Sequence, residues 1–104
     1  MKKQIDIQGE QYEFVFTDRR VDIIEQTTGK PIIKNFFENQ GMIALADLRV
    51  MFVQSLKQVD GPYIQPKVGE EAFRQVIGEI GYAALSALIV EALQEDCPFF
   101  FLEG

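Results

Sequence analysis

Reactive side chains are scarce in this sequence of 104 residues. There is no histidine and a single cysteine, Cys97, so Ser-His-Asp and Cys-His nucleophiles and the common zinc sites have no material within the chain. One thiol forms no internal disulfide, and a buried or incidental cysteine in a reducing compartment is its expected state. Asp18, Asp22 and Glu25 fall on one helical face and are the best arrangement for a divalent ion, but Arg19 and Arg20 lie beside them and no ligand-rich loop accompanies them. Glu70-Glu71 and Glu95-Asp96 are adjacent acids at expected helix ends. The helix dipole accounts for the first pair and solvation for the second. Gly78 and Gly81 sit inside a helical pattern with no strand leading into them, which is not how a phosphate loop is built. The expectation is a protein with no catalytic residues, no cofactor and no metal, one that works by binding.

If binding is the chemistry, apolar side chains carry it, and their spacing says which elements hold them. The clearest is a central helix over 44–59, where Leu45, Leu48, Phe52, Leu56 and Val59 form one stripe and Asp47, Gln54, Lys57 and Gln58 gather opposite. Ahead of it, Ile5 and Ile7, then Tyr12, Phe14 and Phe16, alternate about Gly9-Glu10. This is a β-hairpin within 1–17 whose aromatic face needs helices to cover it. Two short helices are expected in 18–40. The first is capped by Thr17 or Asp18, carries Val21 and Ile24 inward and ends at Gly29. The second, 32–39, carries Ile32, Ile33, Phe36 and Phe37, an apolar surface too wide to be wholly core.

Asp60-Gly61-Pro62 breaks the chain, and Tyr63 to Gly69 with Pro66 reads as an ordered loop. A helical pair over 70–96 follows, with Phe73, Val76, Ile77 and Ile80 and then Tyr82, Leu85, Leu88, Ile89, Ala92 and Leu93. On one straight helix the second stripe is rotated by about 100° from the first, so a bend is expected between Gly78 and Gly81. Pro98 stops the last helix and leaves the apolar tail 97–104, with Phe99, Phe100, Phe101 and Leu102 in succession. That run either folds back on the core or docks on another copy or another protein. A third reading is translational: three Phe codons can be a run of uridines, a natural place for ribosomes to slip frame. The fold class expected is α+β, mainly α, an N-terminal β-hairpin packed on a bundle of about five helices in a single domain, 1–104.

Composition agrees with a compact fold: 47% of residues are hydrophobic, 25% are charged, and mean hydropathy is near zero. The apolar runs meet charges or glycines before reaching the ~20 residues a membrane span needs, and Met1-Lys2-Lys3 leads into Gln4, Asp6 and Gln8 rather than an apolar signal core. No membrane association is expected, and a cytoplasmic location is. Net charge is −6, all of it from residues 70–104, where Arg74 stands against Glu70, Glu71, Glu79, Glu91, Glu95, Asp96 and Glu103. The basic residues Lys2, Lys3, Arg19, Arg20, Lys30 and Lys34 are matched by seven acids up to Glu38. No basic stripe emerges, and no nucleic-acid partner is expected. The acidic last third fits either a solvated face or a small acidic cytosolic regulator or inhibitor, antitoxin-like or a nucleic-acid mimic, acting by protein binding.

One family has this order of features. Tyr12-Glu13-Phe14-Val15-Phe16, then Ile23-Ile24-Glu25-Gln26-Thr27-Thr28-Gly29-Lys30-Pro31-Ile32, then Leu48 to Lys57, and Val68-Gly69-Glu70-Glu71-Ala72-Phe73 running into Ile80-Gly81-Tyr82-Ala83-Ala84-Leu85 and Ile89 to Leu93 together resemble the small tail assembly chaperones of long-tailed bacteriophages and prophages. The resemblance spans Tyr12 to Leu93 and rests on pattern and size rather than an invariant motif. It implies a mostly helical, non-enzymatic protein that coats the tape measure protein, helps recruit tail tube subunits, associates with itself, and is absent from the mature virion. It also implies two product lengths made by a programmed frameshift, for which the Phe99 to Phe101 run is suitably placed. The apolar groups assigned to partner binding are the pair Phe36 and Phe37, the stripe Leu48, Phe52 and Leu56, and the cluster Phe99, Phe100 and Phe101, with core the stronger assignment for the central stripe.

Overall fold

The computed structural model describes residues 3–101. Strands β1 (Gln4–Ile7) and β2 (Glu10–Phe14) pair in antiparallel register, Ile5 opposite Tyr12 and Ile7 opposite Glu10. The turn between them is Gln8-Gly9, at φ of 53° and 84°. Two successive positive φ values give a turn whose twist matches that of the flanking strands, and the Asp6 carboxylate accepts the Gly9 N–H at 3.0 Å.

The hairpin is joined by a third strand that the periodicity did not reveal. Helix α3 (Leu45–Ser55) stops four residues short of the expected end, and Leu56–Gln58 is strand β3, antiparallel to β2, with Phe14 opposite Leu56 and Tyr12 opposite Gln58. Leu56 is fully buried whether a helix or a strand presents it, so the stripe could not separate the two. What ends the helix is hydrogen bonding. The Ser55 carbonyl accepts the Val15 N–H at 2.8 Å, and its hydroxyl donates back to Met51 at 2.7 Å.

Helix α1 (Asp18–Thr28) runs as expected, with the Thr17 hydroxyl accepting the Arg20 N–H at 3.2 Å and Gly29 closing it in the left-handed region. Helix α2 (Ile32–Glu38) follows. Helix α4 (Pro66–Asp96) starts four residues before the expected point, because Pro66 occupies the first turn, where a missing N–H costs nothing. It is one helix with a kink, so the described chain has four helices rather than about five. The kink is at Gly81, φ 86° and ψ 166°, inside the window that the rotated stripes required. A straight helix of its 31 residues would be about 46 Å long, more than the 41 Å long axis of the molecule. A single turn of 3-10 helix, Pro98–Phe101, comes last.

The core lies where α3 crosses the sheet and both arms of α4. Phe52 is fully buried, with edge-to-face ring contacts to Phe14 and Phe73, both at 5.5 Å. Leu85, Ile89, Ala92 and Leu93 close the core from the second arm of α4. Asp96, expected to be solvated, instead accepts the Phe16 N–H at 2.8 Å, and the Cys97 thiol lies 3.8 Å from the Phe16 carbonyl. The end of α4 is thereby clipped to the exit of β2. Tyr63 hydrogen-bonds the Val15 carbonyl at 3.1 Å beneath the Arg20 guanidinium, 3.6 Å from the ring centre. Among the described residues α4 alone is long and apolar enough to cross a membrane, and only 28% of its most apolar stretch is buried. The helix faces outward at Ile80, just before the kink, and at Ala83, Ala84 and Ala87 on its second arm.

Candidate partner-binding face

The eight apolar residues singled out from the sequence separate into two groups. Leu48, Phe52 and Leu56 are fully buried and belong to the core, the stronger of their two assignments. Phe36 and Phe37 on α2 meet Phe101 of the 3-10 turn, which also carries the pair Phe99 and Phe100. Phe101 is the hub: its ring meets Phe36 at 6.5 Å and Phe37 at 6.1 Å, and Phe36 meets Phe37 at 5.4 Å, all edge-to-face. Phe99 and Phe100 are tilted against each other at 4.6 Å. Such pairs contribute about 0.5–1.5 kcal/mol each beyond the area they bury. The tail thus folds back onto the body as far as Phe101; Leu102 lies outside the described residues.

The face is nevertheless far from covered. Phe37 is 57% exposed and Phe99 55%; Met42, which lines a crevice with Phe36 and Phe101, is 63% exposed, and Leu45 at the start of α3 is 57% exposed. Met42 and Leu45 were missed as surface groups. Leu45 was counted with the core stripe although it lies on the first turn of α3, and Met42 stands in the link after Gly41, where no period applies. Tyr82 holds that link in place: its hydroxyl donates to the Ile43 carbonyl at 2.5 Å and accepts the Ile43 N–H at 3.0 Å. At the rim, Lys30 pairs with Asp47 at 2.8 Å and Lys34 with Glu38 at 3.9 Å, so the face has little net charge of its own.

Beneath α2 runs a crevice bounded by Ile24, Met51, Val90, Leu93 and Phe101, with about 20 Å³ of interior space. That admits about one water and no small-molecule ligand, whose sites run to about 300–1,000 Å³. A wider hollow of about 350 Å³ lies between the hairpin and the first arm of α4, bridged by a Gln8–Gln75 hydrogen bond at 3.1 Å. Its acids are Glu10 and Glu71, and Glu10 accepts the Tyr12 hydroxyl at 3.1 Å. Tyr12, which also lines it, has its phenol pKa raised by burial first and by the neighbouring Glu10 second. No group of three His, Cys, Asp or Glu side chains suited to a metal ion occurs among the described residues. What this arrangement can do is bury apolar surface against another chain.

No protein-family model matches the chain, and no curated protein or solved structure is detectably similar to it.

Proposed function

We propose that this protein is a non-enzymatic tail assembly chaperone of a long-tailed phage or prophage, binding the tape measure protein in the host cytoplasm, helping to recruit tail tube subunits, and leaving before the virion is mature. The observation that carries the reading is the aromatic face built by α2, the link at Met42 and the 3-10 turn. An exposed cluster of large apolar side chains on a small, otherwise well-packed protein is the usual mark of an interface. A long helical partner offers such a face a repeated ridge of apolar residues. Each copy buries little, so tenure on the partner comes from many copies acting together, and each is released without a large barrier. The net charge of −6 keeps unbound copies soluble despite the exposed rings.

The rival reading, a small acidic regulator or inhibitor, is favoured by one observation: Glu70, Glu71, Glu79, Glu91 and Glu95 are all exposed along α4. A one-to-one complex that weakens steeply with salt would support it, whereas the chaperone's apolar contacts change little with ionic strength. The gene itself tests the proposal most cheaply. A uridine run through the codons for Phe99 to Phe101 with an overlapping frame, beside a very long gene for a coiled-coil-like protein, is the expected arrangement. Mixed phenylalanine codons would remove the slippage argument alone, and a neighbourhood without tail genes would overturn the chaperone reading.

A further inference from the structure

Helix α2 is attached to the molecule in an unusual way. None of its seven residues is buried, and Pro31 gives its first turn no side-chain cap. A single carboxylate stands in for that cap, Glu25 accepting the Ile32 N–H at 3.0 Å. Ile32, Ile33 and Phe36 rest half-buried against the core, and Phe36 and Phe37 meet the ring of Phe101. At one end stands Gly29 at φ 74°, and at the other Gln40 and Gly41 at 58° and 81°. Under α2 the seam leaves room for about one water, and across the seam lie Ile24, Met51 and Leu93, which are core side chains exposed by 2% or less.

We propose that α2 is a strap that lifts from the body as a unit, turning about Gly29 and Gly41, and that the groove it uncovers takes an amphipathic helix from the partner. The occupant is argued from α2 itself, which lays a helix on this groove with Ile32 and Phe36, four residues apart, lining the seam. The partner helix presents the same spacing of large apolar side chains and displaces α2, while Phe37 and Phe99 extend the contact outward. Who the partner is rests on the reading under Proposed function; the lifting of α2 and the helical nature of the occupant do not.

Thiol labelling of the full chain in native buffer tests this, with Cys97 replaced by Ala. Met51→Cys places a thiol under the strap, and Ser55→Cys places one in the core away from it. If the strap lifts, the thiol at position 51 reacts about 100-fold faster than the one at 55, as local openings outpace global unfolding. Adding Phe101→Ala then speeds only position 51, by about tenfold, the effect of losing roughly 1.4 kcal/mol of ring contact. Equal rates at 51 and 55, or parallel acceleration of both, would overturn the strap. In the Phe36→Ala chain, a helix-stapled peptide carrying residues 30–41 slows labelling at 51, and the same peptide with Ile32 and Phe36 changed to Ala does not. Equal effects of the two peptides would overturn the helical occupant, and labelling that slows with protein concentration would assign the groove to a second copy instead.

Discussion

The nine phenylalanines of this chain do two different jobs. Phe14, Phe16, Phe52 and Phe73 are exposed by 4% or less, whereas Phe37 and Phe99 are more than half exposed. Phe52→Ala should therefore destabilise the fold by about 3–5 kcal/mol, the range for deleting a buried ring, and Phe37→Ala by only about 1 kcal/mol, the loss of its ring contacts with Phe36 and Phe101. Chemical denaturation of the two variants checks the contrast. Two side chains also set an alkaline limit. The Lys3 ammonium pKa is raised by its hydrogen bond to Glu91, 2.9 Å away, and by that carboxylate's charge, and the Tyr12 phenol pKa is raised mainly by burial. Each group keeps its proton to higher pH folded than unfolded. The stability it contributes is whole below its ordinary value, 10.5 for Lys3 and 10.0 for Tyr12, and is lost as pH rises through the folded value. The melting temperature should fall as pH rises above about 10, less so in Tyr12→Phe. At this scale the sequence separated core from surface only where a period applied. Phe52 was legible from its stripe, whereas Phe99 to Phe101 obey no period, and only the ring contacts with α2 show how they lie.

At the scale of elements, Gly81 decides the shape of the longest one. Its φ of 86° with ψ of 166° belongs to a region that is essentially glycine's own. An added Cβ would meet no heavy atom within 4 Å, so the cost of substitution is conformational rather than steric. Gly81→Ala should destabilise the protein by about 1–3 kcal/mol or straighten α4 and pull Tyr82 from Ile43; thermal unfolding and the labelling rate of the α2–α3 link read the two effects. The kink was legible because two apolar stripes on α4 are out of phase by an amount only a bend corrects. Strand β3 was not legible, since three residues are too few to show a period of two beside an eleven-residue helix that ends in the same buried leucine. The early start of α4 was hidden for a related reason: Pro66 punctuates a loop and opens a helix equally well.

For the molecule as a whole, stability and the proposed association rest on different residues. The core beneath α3 folds the chain, and the aromatic face at α2 and the 3-10 turn is free to act on another protein. Phe37→Glu combined with Phe99→Glu should lower the denaturation midpoint much less than Phe52→Ala does and remove partner binding, because both rings are more than half exposed and a charge on each opposes apolar burial. The direct measurement is light scattering on the chain co-expressed and co-purified with a phage tape measure protein, the proposed partner. The account predicts a complex holding several copies of the chain per tape measure protein, insensitive to moderate salt and lost in the double glutamate variant. A chain that elutes alone, or a one-to-one complex that the double variant forms equally well, would contradict it.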